Sequence, residues 1–192
     1  MEQEEKSSFF AASTSVRSDR ILYTPSPFAK NNLLYLQEIG KLTALAPHTS
    51  KRGELSSCLC FLVLSGSGRL TYEGQEYTLQ TGDVAFLNCR NFYSHSTAGE
   101  DLWSLQWCHF YGASVQSIYT KYCERGGGPV IHPENLQPYV QLLTELYELA
   151  GSDDYIRDMR INEKLGSLLT CLMSESWHPE KSLKEHAKKQ DV

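Results

Sequence analysis

Cys58-Leu59-Cys60-Phe61-Leu62-Val63-Leu64, followed at once by Ser65-Gly66-Ser67-Gly68, is the stretch on which the fold turns. Seven apolar residues in succession are too few for a typical buried helix. They show no polar alternation, so they read as a strand covered on both faces. The two glycines end it. Moving outward, Arg69-Leu70-Thr71-Tyr72 and Glu76-Tyr77-Thr78-Leu79 flank Glu73-Gly74-Gln75, a hairpin signal with glycine in the turn. Thr81-Gly82-Asp83 forms a second turn and leads into Val84-Ala85-Phe86-Leu87. Leu33-Leu34-Tyr35-Leu36 starts an earlier strand, and residues 93–97 and 103–111 supply two later ones. Short strands at such close spacing predict a barrel or sandwich.

The period changes after Gly112. Val115, Ile118, Tyr119 and Tyr122 recur at helical spacing, and Gly126-Gly127-Gly128 stops that helix. Pro133 suits the first turn of a second helix, whose apolar positions are Leu136, Tyr139, Val140, Leu143, Leu146 and Tyr147. Ser152 is expected to cap a third helix running to about Trp177, with Asp153 and Asp154 favouring its positive end. Leu165, Leu168, Leu169, Leu172 and Met173 make an apolar stripe on it, wider than one helix contact needs. The four leucines are therefore candidates for a homodimer interface, with an ordinary core-facing helix as the open alternative.

Eighteen Lys and Arg stand against 23 Asp and Glu, a net charge of −5, so the chain lacks the overall basic excess of a self-sufficient DNA binder. An acidic start and the absence of an apolar run of about 20 residues argue against a secretory signal and a membrane span, and point to the cytoplasm. The six cysteines include no Cys-x-x-Cys pair and read as reduced thiols, most of them in apolar runs. These signals divide the chain into a flexible N-terminal arm (1–28), a β-barrel (29–112), a helical dimerisation region (113–178) and the start of a charged linker (179–192).

Three segments taken together resemble the sensor half of AraC-type (AraC/XylS) transcription regulators. They are Leu62-Val63-Leu64-Ser65-Gly66-Ser67-Gly68-Arg69-Leu70, then Leu79-Gln80-Thr81-Gly82-Asp83-Val84-Ala85-Phe86-Leu87, then Trp103-Ser104-Leu105-Gln106-Trp107-Cys108-His109-Phe110-Tyr111-Gly112. The run Trp-x-x-x-Trp-x-His-Phe-x-Gly after Gly-Asp is the specific part. The resemblance implies a mainly β fold with C-terminal α structure: a cupin-type double-stranded β-helix, or jelly-roll barrel, followed by about three helices. It also implies dimerisation through those helices, a small-molecule effector, often a sugar, and DNA contact only through a helix-turn-helix domain absent from this sequence.

Many cupins are metalloenzymes whose first motif supplies His-x-His and a Glu, and whose second supplies a further His. Here no His-x-His lies between His48 and Gly66, and Tyr93 stands where the last histidine is expected, with His95 two residues on. No Gly-x-Ser-x-Gly elbow is present either. Neither metal, cofactor nor catalytic residue is therefore nominated. A small cupin metalloenzyme, of sugar-phosphate isomerase or dioxygenase type, is the alternative. What the strands do offer is a binding face. Trp103, Leu105, Trp107, His109 and Tyr111 alternate onto one side of the last strand. An indole can stack on a sugar or an aromatic ring while polar neighbours fix its oxygens. The candidate ligand-binding residues are Gln37, Arg52, His95, Trp103, Trp107 and His109, and the resemblance aligns Trp107 with the family's stacking tryptophan.

Overall fold

The computed structural model describes residues 15–176. The apolar Phe9-Phe10-Ala11-Ala12 part of the expected arm, Trp177 and the expected linker all lie outside them. The chain order is β1 (Val16–Leu22), α1 (Pro27–Asn32), β2 (Tyr35–Ala44), β3 (Thr49–Arg52), β4 (Cys58–Ser65), β5 (Ser67–Tyr72), β6 (Gln75–Gln80) and β7 (Val84–Asn88). It continues with β8 (Tyr93–Thr97), β9 (Ser104–Tyr111), α2 (Val115–Glu124), β10 (Val130–Ile131), α3 (Gln137–Ala150) and α4 (Arg157–Glu175).

The strands form two antiparallel sheets, ordered β1-β2-β9-β4-β7-β10 and β3-β8-β5-β6. Apart from the β1–β2 and β5–β6 pairs, the chain passes from one sheet to the other at each step from β2 to β9, as in a jelly roll. The fold is cupin-like, mainly β with C-terminal helices. Glu73 and Gly74, both at positive φ, make the two-residue turn of the β5–β6 hairpin.

The larger sheet separates two hydrophobic cores. Leu59, Phe61 and Val63 of β4 point between the sheets, where Leu70, Tyr72, Leu79 and Tyr93 of the smaller sheet meet them. Cys58, Cys60 and Leu62, on the other face of the same strand, pack against the helices with Phe86, Cys108 and Phe110. Double coverage explains why β4 is apolar at successive positions. All six cysteines are free thiols. Burial holds the thiols of Cys58 and Cys60 far above their ordinary range and raises Cys108 to about 12, so these three stay protonated and act as small hydrophobes. Among the described residues no helix is long and apolar enough to cross a membrane.

Several expectations change. Residues 16–22 are not a loose arm: β1 pairs with β2 along its whole length, from Val16 opposite Ala44 to Leu22 opposite Glu38. Its polar composition had hidden it, because an edge strand keeps much of its surface in water. Residues 27–32 form a short helix capped by Ser26, whose hydroxyl accepts from the Ala29 N–H at 3.1 Å. The second helix carries Pro138 in its first turn instead of Pro133. The third begins four residues later than expected, with Ile156 in place of Ser152 at its N-cap, because Ser152 turns its hydroxyl back to the Leu149 carbonyl (2.9 Å). Asp154 instead organises the turn, accepting from the Ile156 N–H at 2.9 Å.

The four candidate interface leucines are also placed differently. Leu165, Leu168 and Leu172 are 0 % exposed and Leu169 is 4 % exposed in a single chain. They belong to the core between α4, α3 and the large sheet. A partner could reach their side chains only if α4 came away, so they do not form a ready interface.

Candidate functional site

A cavity of about 390 Å³ lies between the sheets at the end bounded by β1, β2, β3 and β8. Its large-sheet wall is a set of cross-strand rows. One row runs Arg20, Gly40, Trp107, Phe61. The next places Glu38 opposite His109, and His109 opposite Leu59. The third sets Leu42 against Leu105. Because side chains one row apart on a face are two residues apart along a strand, these residues all face inward. The small sheet contributes Ser50 and Arg52 of β3 together with Tyr93 and His95 of β8. His48, from the turn before β3, completes that side.

Gly40 shapes the Trp107 position. A Cβ there would come within 3.0 Å of the indole Cζ2 and 2.6 Å of the Asp19 carbonyl oxygen. The bare backbone lets the half-buried indole lie across β2 into the cavity.

Glu38 links the two sheets. Arg20 of β1 donates to its Oε1 at 3.1 Å, and Arg52 of β3 donates to its Oε2 at 3.5 Å. The Glu38 side chain is nearly enclosed, whereas both arginine side chains keep more than a third of their surface exposed. The histidines here are uncharged. Burial lowers His95 to about 4, helped by His48, Arg52 and His109. Burial, with the Arg52 charge behind it, lowers His109 to about 4 as well, and burial also lowers His48. His109 is held by the Ser57 hydroxyl, 3.1 Å from Nδ1. A hydroxyl donating there leaves Nε2 protonated, as a donor toward the cavity. Nδ1 of His95 and both ring nitrogens of His48 are buried without a protein partner. Hydrogen-bonding capacity is thus unused at the wall, an arrangement usually found where a ligand or water completes it.

Of the six residues nominated from sequence, Arg52, His95, Trp107 and His109 come together on this cavity. Trp103 does not reach it. It lies just before β9, fully buried, behind Phe61 and His95 with ring centroids 6.3 and 5.7 Å away. Gly68 of β5 makes room for it: a Cβ on Gly68 would sit 2.0 Å from the indole Cζ3. Trp103 is core. Gln37 is corrected too. A β-bulge between Leu36 and Glu38 adds a residue to β2, so Glu38 stands opposite His109, where uninterrupted alternation would have put Gln37. Gln37 faces outward and accepts a 2.7 Å hydrogen bond from the Tyr111 hydroxyl.

Sequence reasoning missed Arg20, Glu38, His48 and Tyr93. Tyr93 had the clearest signal, two residues from His95 on the same strand face. Its phenol is driven above its ordinary range chiefly by burial. Among the described residues no three His, Cys, Asp or Glu side chains are grouped so as to hold a metal ion.

The family model for the AraC-like ligand binding domain matches residues 46–169. Among solved structures, the AraC-like transcriptional activator CuxR superimposes with a TM-score of 0.55 at 13% identity, covering 82% of this chain and 56% of that one. The present chain therefore spans little more than half of CuxR. The Schizosaccharomyces pombe Cnp3 cupin domain aligns with a TM-score of 0.41 at 16% identity, over 59% of this chain and 72% of that one. Among curated proteins the chain has no match.

Proposed function

Because this chain belongs to the family of AraC-like ligand-binding domains, we infer that its barrel cavity holds the small-molecule effector of a transcription regulator. The observation that carries the reading is the cavity itself: about 390 Å³ between two sheets, with one indole on its wall and the polar groups of Arg52, His95 and His109 converging on it. That size and mixture suit a ring-sized organic guest. A sugar, with its C–H face against Trp107 and its hydroxyls toward the histidines and arginines, is the effector we favour.

The wall also offers a route outward. β1 supplies Arg20 to the cavity, and the chain just beyond it is fixed to α4. The Tyr23 hydroxyl donates to Asp158 Oδ1 at 2.6 Å and the Ser26 N–H donates to Oδ2 at 3.2 Å. An effector that binds better to one position of β1 would shift the balance between arrangements of the helices. Through a dimer built on the helical region, it would bias how separate DNA-binding domains are presented. The proposed role is non-enzymatic and cytoplasmic, where a regulator meets DNA.

Thermal-shift screening of the purified chain against sugars and small organic acids tests this reading, since a ligand of the native state raises its apparent stability. A hit that shifts the melting temperature of the parent protein and is lost in Trp107→Ala supports it. A library-wide absence of shifts, or hits unaffected by Trp107→Ala, overturns it.

A further inference from the structure

The cavity wall carries more positive than negative charge, although the chain as a whole is negative. Its ionised side chains are Arg20, Arg52 and Glu38. The other titratable groups on the wall are His48, His95 and His109, all shifted toward their uncharged forms, and Tyr93, a phenol held protonated. One carboxylate thus faces two guanidinium groups. Each arginine makes a single hydrogen bond to Glu38, one per oxygen, so most of its five N–H donors remain open. The two side chains come from different sheets and meet at one point on the wall, beside the apolar surface of Leu42, Leu59, Leu105 and Trp107.

We propose that the effector is an organic carboxylate, with its anionic group against the open N–H donors of Arg52 and Arg20 and its body against Trp107 and the leucines. The inference rests on the effector-site reading and replaces a neutral sugar there by an anionic guest. A planar guanidinium matches a carboxylate in two parallel hydrogen bonds, which are stronger than those to a neutral hydroxyl. The neutral histidines suit such a guest, because they can share its remaining polar groups without adding further charge. A fully neutral guest would leave one guanidinium without a counter-charge in a partly enclosed cavity, whereas an anion completes the balance. Sugar acids and aromatic acids share this chemistry: the first would use the histidines for its hydroxyls, the second the apolar wall for its ring.

The test is calorimetric titration of the purified chain with two matched pairs, D-galacturonate against D-galactose and benzoate against benzamide. At least one carboxylate should bind about tenfold or more tightly than its neutral counterpart, and Arg52→Gln should remove that advantage while Arg52→Lys keeps part of it. Both variants should retain the parent far-ultraviolet spectrum, since Arg52 lies at the surface end of its pair. Raising the salt concentration should weaken the carboxylate and leave the neutral compound unchanged. Equal or tighter binding of the neutral partner overturns the proposal and leaves the effector reading standing. Carboxylate binding that ignores Arg52→Gln and Arg20→Gln also overturns it, by placing the anion elsewhere. If none of the four compounds binds, the carboxylate proposal falls, and the wider screen with Trp107→Ala decides the effector reading separately.

Discussion

Gly68→Ala is the sharpest test of how the barrel is filled. Gly68 sits inside β5, paired with Leu79 on one side and Thr97 on the other, so the strand cannot easily move aside. The added methyl would stand 2.0 Å from Cζ3 and 2.2 Å from Cε3 of Trp103. Ordinary contact begins at 3.4 Å, so the ring must retreat by about 1.4 Å. Trp103 has no exposed surface, and Phe61, His95 and His48 surround it with centroids 5.7–6.5 Å away, so retreat means disturbing the cavity wall. Overpacking of this kind costs roughly 1–3 kcal/mol, and a rigid ring with closed surroundings belongs at the upper end. For a domain of this size each kcal/mol lowers the melting temperature by roughly 2–4 °C, so a drop of about 4–12 °C is expected. Differential scanning calorimetry measures it. The same substitution in a Trp103→Leu background should cost at least about 1 kcal/mol less, because the atoms it strikes are gone. A single variant melting within about 1 °C of the parent, or an equal cost in both backgrounds, would refute the assignment of Trp103 to the core.

Three further outcomes follow from the geometry. His95 and His109 are each held near 4 in the folded protein, against about 6.5 when unfolded, so the unfolded chain takes up protons first. Their stabilisation is complete above pH 6.5 and is lost as pH falls toward 4, by up to roughly 3 kcal/mol each. Urea midpoints between pH 7 and 4.5 should therefore fall less steeply in a His95→Gln/His109→Gln variant, and an unchanged slope would contradict the buried neutral state. Leu168→Ala should destabilise the fold by about 2–5 kcal/mol in urea titrations, as a core truncation does. Sedimentation showing a stable chain with altered association only would restore these leucines to an interface. Tyr23→Phe, which removes the donor to Asp158 while the Ser26 N–H stays, should cost about 1–2 kcal/mol and increase hydrogen exchange at the start of α4; unchanged exchange there would show that the latch contributes nothing.

The sequence by itself determined the elements whose patterns arise locally. The unbroken apolar run of β4, the glycine turns around β5 and β6, and the helical stripes of α2 and α3 were all legible, because burial on one or both faces imposes a period on the residues that make them. The alternation of Leu105, Trp107 and His109 likewise announced one wall of the cavity. Only the tertiary structure decided what depends on a neighbour. The bulge in β2 reverses the inward parity and exchanges Gln37 for Glu38, a shift no local pattern records. Trp103 and Trp107 have the same chemistry four residues apart, yet Gly68 draws one indole into the core while Gly40 opens space for the other at the cavity. The polar edge strand β1 and the leucines of α4 exchanged their expected roles for the same reason. Whether a side chain meets water, a ligand or its own chain is fixed by what packs across from it, and that partner is distant in sequence.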